Sequence, residues 1–114
     1  LDKSTDTLFD LKQGVGGITD IEFLVQYAVL AWAADLPELM VYTDNIRILD
    51  ALAATGKLTA MERDVLADAY RFYRSEANHC VLQEQPTLAP LAMLDDFRPQ
   101  VQTIWQRWLG ESQS

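Results

Sequence analysis

Cysteine and histidine are almost missing from this chain. One cysteine, Cys80, and one histidine, His79, among 114 residues exclude an internal disulfide and leave no pair of ligands at zinc spacing. Cys80 falls in a helical pattern, where a small core residue is expected rather than a nucleophile. His79 is expected to pack with one ring hydrogen bond. Basic residues are scarce as well: nine Lys and Arg stand against seventeen Asp and Glu, a formal net charge of -8, which argues against binding nucleic acid or an anionic membrane through the general field. Local basic spots stay possible. Long apolar runs are also lacking, since the longest, around Phe23 to Ala34, is interrupted by Gln26 and falls short of the ~20 residues of a membrane span. The polar start Leu1-Asp2-Lys3-Ser4 has no signal-peptide character. The expectation is a cytoplasmic protein, and the start without Met reads as an excised domain of something longer.

Strand alternation and internal repeats are absent too, which leaves helices. With 49% apolar residues, one domain of this length buries a core without staples. The chain is organised around Phe9 to Phe23, where Gly14, Gly16 and Gly17 allow a sharp bend and feed the most apolar segment. Thr19 is expected to cap a first helix, with Glu22 reaching back to its amide as a capping box. Such a helix would carry free amides at its mouth, the general geometry for holding an anion. Asp20 and Glu22 in its first turn would repel a phosphate unless Lys12 or a cation intervened, and a tight turn capped by its own side chains is the other reading.

The first helix is expected from about Thr19 to Ala34 and ends at Asp35-Leu36-Pro37. Its apolar residues cover so much of the circumference that it should be buried nearly all round, so Glu22 and Gln26 must meet a polar partner. Thr43-Asp44 offers caps for a second helix from Asn45 to about Thr55, stopped by Gly56, with Ile46, Leu49, Leu52 and Ala53 inward. Arg47 and Asp50 belong to its other faces. Thr59 and Glu62 form another capping box, opening a third helix through about Leu82 with Met61, Val65, Leu66, Ala69, Phe72, Tyr73, Ala77, Cys80 and Val81 at helical spacing. Arg71 and Arg74 lie three apart on it and call for a carboxylate or phosphate nearby; a salt bridge to Glu22, Asp20 or Asp68 is the structural option. Gln85 to Pro90 reads as a loop. A last helix is expected to cap at Asp95, with Pro99 in its first turn and Val101, Ile104, Trp105, Trp108 and Leu109 before Gly110. Ser4 to Gln13 has no clear pattern, and Glu111 to Ser114 should fray. The fold class is all-α, a bundle of about four helices with a glycine-rich N-terminal turn.

Separated motifs carry a family resemblance. Asp10-Leu11-Lys12, Gly16-Gly17-Ile18-Thr19-Asp20-Ile21-Glu22-Phe23 and Gln26-Tyr27 resemble the glutamine-synthetase adenylyltransferase family. So do Thr43-Asp44-Asn45-Ile46-Arg47-Ile48-Leu49, the block of Tyr70, Arg71, Arg74, His79 and Gln83, and the ending Trp105-Gln106-Arg107-Trp108-Leu109. The resemblance covers nearly the whole chain. It implies the helical segment closing the C-terminal, adenylylating half of a bifunctional enzyme that attaches AMP to glutamine synthetase and removes it in nitrogen regulation. That family keeps its catalytic carboxylates in a preceding nucleotidyltransferase domain with a Gly-Ser and Asp-x-Asp pattern that this chain lacks.

The resemblance therefore implies no catalytic residue and no metal ligand here, and an inactive fragment. ATP and Mg2+ belong to the full-length enzyme. The bundle would pack on the preceding domain and help wall its ATP site, with Lys12, Gly14, Gly16, Gly17, Asp20, Glu22, Gln26 and Arg74 facing it. Lys12 would neutralise a phosphate or hold Glu22, the glycines would permit close backbone approach, and Asp20 and Glu22 would position Lys12, Arg74 or a metal-bound water. Glutamine synthetase and the PII signal protein are the implied partners. A regulatory module binding PII or glutamine, or the helical domain of the related PII uridylyltransferase, is the alternative.

Overall fold

The computed structural model describes residues 2–5, 8–14, 16–40, 44–90 and 97–110. Four α-helices make the body: α1 (Ile18–Trp32), α2 (Asn45–Ala54), α3 (Ala60–Leu82) and α4 (Arg98–Trp105). A 3-10 turn, Pro37–Met40, follows α1, and a π-helical turn, Gln106–Gly110, extends α4. The helical bundle expected from the sequence is found, with one addition. Two short strands, β1 (Leu8–Asp10) and β2 (Leu88–Pro90), pair antiparallel with Phe9 opposite Ala89. Three residues per strand are too few to show an alternation, so neither the patternless N-terminal segment nor the Gln85–Pro90 loop announced them.

The core gathers Leu24, Val25 and Ala28 of α1, Leu49 and Leu52 of α2, and Leu66, Ala69 and Tyr73 of α3 around one apolar centre. Phe9 and Leu11 close it from the N-terminal side, and Val101, Ile104 and Trp108 from the other. Cys80 is buried, as its helical spacing predicts. The last segment is fastened by aromatic edges: Trp32 meets Trp108 at 5.2 Å between ring centroids and Phe23 meets Trp105 at 5.0 Å. Such tilted ring pairs add about 0.5–1.5 kcal/mol each beyond the area they bury.

Two of the expected helix starts form as read. Asp44 caps α2 by accepting the Ile46 amide at 2.8 Å, and Thr59 and Glu62 exchange both bonds of a capping box at 3.0 Å each. Gly56, after α2, holds φ +82, a value open to glycine without a Cβ penalty.

Other expectations are corrected. α1 starts at Ile18, its cap position is Gly17, and no side chain caps it, so the Thr19–Glu22 box does not form. Nor is α1 buried all round: Leu30 is 84% exposed and Phe23, despite its contact with Trp105, 50%, and Gln26 lies in solvent beside them. In α2 the buried residues are Ile48, Leu49 and Leu52, while Ile46 and Ala53 are half-buried. Met61 and Val81, at the two ends of α3, are exposed. His79 is exposed rather than packed. The expected cap at Asp95, the connector residues Val41, Tyr42 and Thr43, and the tail Glu111 to Ser114 lie outside the described residues.

Candidate functional site

The glycine turn is built around one buried acid. Asp10, 4% exposed, is the only charged residue buried among those described. Its Oδ1 accepts the amides of Lys12 and Gln13, both at 3.0 Å, and its Oδ2 accepts the amide of Lys3 at 2.9 Å. Burial raises the pKa of this carboxyl, but the N–H groups of Gln13, Lys3 and Lys12 together outweigh it and hold the value below the ordinary one. Hydrogen bonds to the ionised form are the physical cause. Asp10 opens the Asp10–Tyr27 motif, which assigns it no role of its own. The only available signal was a short acceptor two and three residues before Lys12 and Gln13, the Asx-turn pattern.

The helix mouth is closed. Ile18 donates its amide to the Leu11 carbonyl at 2.9 Å and Thr19 to the Lys12 carbonyl at 3.0 Å. Gly17 donates to Gly14 O at 2.9 Å, and Gly16 to Asp20 Oδ2 at 2.6 Å. The free amides expected for an anion are thus spent on the chain itself. The close approaches that the glycines permit are also internal. A Cβ on Gly14 would lie 2.5 Å from the Phe9 ring, and one on Gly17 would lie 2.7 Å from Leu11 O.

This internal lock has one outward product. Lys12 donates its amide to Asp10 and its carbonyl accepts from Thr19, so its backbone is pinned on both sides while its side chain is exposed. It stands over a cleft of about 250 Å³ between α1 and α3, lined by Lys12, Thr19, Glu22, Arg74, Asn78 and the apolar Ile18, Ala77 and Val81. Of the predicted site residues, Lys12, Glu22 and Arg74 therefore meet. Gly14, Gly16 and Gly17 are buried behind them, Gln26 sits on the exposed stripe of α1, and Asp20 faces a separate groove with Val101 and Trp105.

Arg74 has no carboxylate in ion-pair contact among the described residues, and neither has Lys12. The ion pairs found there join Arg63 to Asp50 and Asp64, Arg71 to Asp68, and Arg107 to Glu62. The salt bridge expected for the Arg71–Arg74 pair thus forms for Arg71 alone, at 3.9 Å in solvent. Arg74 instead lies over the Tyr70 ring, 5.9 Å from its centroid. Glu22 is bound from its other side: Tyr70 Oη donates to Glu22 Oε2 at 3.4 Å, and Asn45 Nδ2 donates to Tyr70 Oη at 3.0 Å. Asn45 and Tyr70 were not among the predicted site residues, because nothing in sequence spacing tells that α2 and α3 cross here. No three His, Cys, Asp or Glu side chains gather into a metal-ligating group among the described residues, and no helix there is long and apolar enough to cross a membrane.

A pinned lysine, an arginine without an ion pair and a tethered carboxylate thus line one cleft of a helical domain. The family model described as GlnD PII-uridylyltransferase matches residues 2–88, and the chain belongs to that family. It is 49% identical over 111 residues, 97% of its length, to the bifunctional glutamine synthetase adenylyltransferase/adenylyl-removing enzyme of Nitrosococcus oceani. It is 46% identical over 97 residues, 85% of its length, to the enzyme of the same name from Pseudomonas syringae pv. tomato. Against that of Thioalkalivibrio sulfidiphilus it is 42% identical over 106 residues, 93% of its length. The resemblance carried by the Asp10–Tyr27 motif therefore holds. The chain spans 12%, 10% and 11% of those relatives, in the same order.

Proposed function

We propose that this chain is the helical domain that packs on the nucleotidyltransferase domain of a glutamine synthetase adenylyltransferase and walls its ATP site. The carrying observation is the α1–α3 cleft. In a chain of net charge -8, Lys12 and Arg74 meet there without a partner acid in the described residues. Two cations and the single carboxylate Glu22, with no ion pair among them, leave the cleft net positive, which suits an anion, and a phosphate is the anion that adenylyl transfer supplies. Glu22 shares the cleft, the buried glycine turn holds Lys12 in place, and Asp20 clamps that turn through Gly16. Gln26 lies on the outer stripe with Phe23 and Leu30, a face suited to contact with the rest of the polypeptide.

The described residues gather no carboxylate cluster for Mg2+; in this reading Mg2+ and the carboxylates that hold it belong to the preceding domain. The reaction on glutamine synthetase, in either direction, and any response to PII belong to the whole enzyme. Its adenylylation assay tests the reading: Lys12→Ala and Arg74→Ala should each raise the KM for ATP about tenfold, the loss of one charge-assisted hydrogen bond. Unchanged kcat and KM in both variants would end it.

A further inference from the structure

The Asn45–Tyr70–Glu22 chain has a direction. Asn45 can donate only through Nδ2, and it does so to Tyr70 Oη at 3.0 Å. With its oxygen accepting there, the phenol turns its single proton toward Glu22 Oε2, 3.4 Å away. Each donor polarises the next, and the chain ends on the Glu22 carboxylate oxygen. The three groups come from α2, α3 and α1, and the Arg74 guanidinium over the Tyr70 ring ties the same phenol to the cation of the cleft. Two sequence motifs far apart in the chain, around Asn45 and around Tyr70, thus converge on one carboxylate.

From this geometry we infer that Asn45 and Tyr70 are positioning residues for Glu22, and that Glu22, with one oxygen tethered, offers the other to a ribose hydroxyl of the nucleotide. The inference rests on the proposed ATP-facing role of the cleft. Opposite charges set side by side suit a ligand that carries an anion and a neutral donor together. In a nucleotide the phosphates go to Lys12 and Arg74 and the sugar hydroxyls go to the carboxylate, the way an acidic side chain takes ribose in dinucleotide sites. A site built to accept a hydroxyl proton also rejects the analogue that lacks it, because its half-buried acceptor then loses that donor.

The test is adenylyl transfer by the full-length enzyme with ATP, 2′-deoxy-ATP and 3′-deoxy-ATP, alongside thermal melts of each variant. The unsubstituted enzyme should prefer ATP to at least one deoxy analogue by about tenfold in kcat/KM. Glu22→Gln and Tyr70→Phe should both shrink that ratio to about twofold or less, and Asn45→Ala should shrink it part of the way. Tyr70→Phe keeps the ring under Arg74, so its melt should match that of the unsubstituted enzyme, and a purely structural tyrosine would leave the ratio alone. If Glu22→Gln removes the preference and Tyr70→Phe keeps it, the positioning role is wrong. If Glu22→Gln weakens ATP and both deoxy analogues equally, or no deoxy discrimination exists at the outset, the ribose assignment is wrong while the ATP-facing cleft survives. If Glu22→Gln, Lys12→Ala and Arg74→Ala all leave ATP kinetics unchanged, the underlying reading fails as well.

Discussion

The two ends of the Asp10–Glu22 segment treat polar groups in opposite ways. Around Asp10 every described contact is internal: a buried carboxylate collects three amides, and the glycine turn and the start of α1 return their own to the chain. Across the α1–α3 cleft, Lys12 and Arg74 are exposed and make no ion pair among the described residues, although Glu22 lines the cleft with them. Saturation of the first region is what makes the second possible, because a lysine on a pinned backbone loses less freedom when it binds. A glycine-rich turn before a helix is thus scaffold here, and in the proposed reading the ligand-facing chemistry lies on the Lys12 side chain instead.

The comparison is broken most severely at the glycines. Gly17→Ala would set a Cβ against Leu11 O at 2.7 Å, and a backbone neighbour cannot swing away. A loss of about 3 kcal/mol is expected in urea unfolding, the upper range for overpacking. Next comes Asp10→Asn, which keeps the shape but weakens three charge-assisted bonds, for about 2 kcal/mol. The same variant carries a pH signature. The Asp10 pKa is lowered in the folded state, so its contribution is fully present above the unfolded value of about 3.9 and is lost as the pH falls through the folded one. Acid unfolding profiles of the unsubstituted protein and the Asp10→Asn variant should therefore differ at neutral pH and converge in strong acid.

The cleft should show the reverse pattern. Lys12→Ala and Arg74→Ala are expected to change stability by less than about 0.5 kcal/mol while raising the KM for ATP in the whole enzyme; a large stability loss would make the cleft another scaffold. The smallest effect belongs to Arg71→Ala. Its pair with Asp68 spans 3.9 Å with both side chains more than half exposed, so stability should move by about 0.3 kcal/mol or less and ATP kinetics not at all. A KM effect there equal to that of Arg74→Ala would mean that general charge, not the cleft, is being measured.

Local rules read well wherever a residue acts on its own neighbours. The Thr59–Glu62 box, the Asp44 cap and the stop at Gly56 depend on groups within a few positions, and all three formed. The Thr19–Glu22 box satisfied the same rule and failed, because α1 starts one residue earlier, at Ile18: the Ile21 amide that the Thr19 hydroxyl could cap goes to Gly17 O, and the Thr19 amide that Glu22 would take goes to Lys12 O. The β1–β2 pairing stayed hidden because its strands are short and about eighty positions apart. Lys12, Glu22 and Arg74 were legible through the motifs that contain them. Asn45 and Tyr70 were not, since their meeting depends on how α2 crosses α3.

The amino-acid order by itself determined a helical bundle, most of its helix boundaries, its acidic surface and its kinship, since these follow from periodicity, caps, counts and motifs that are local in the chain. Only the folded arrangement decided that Asp10 takes the amides, that the glycines face inward, and that a cation of the glycine-rich turn and one of α3 share one cleft. Distance in sequence does not measure distance in space, and a hydrogen bond goes to whichever acceptor the packing brings within reach.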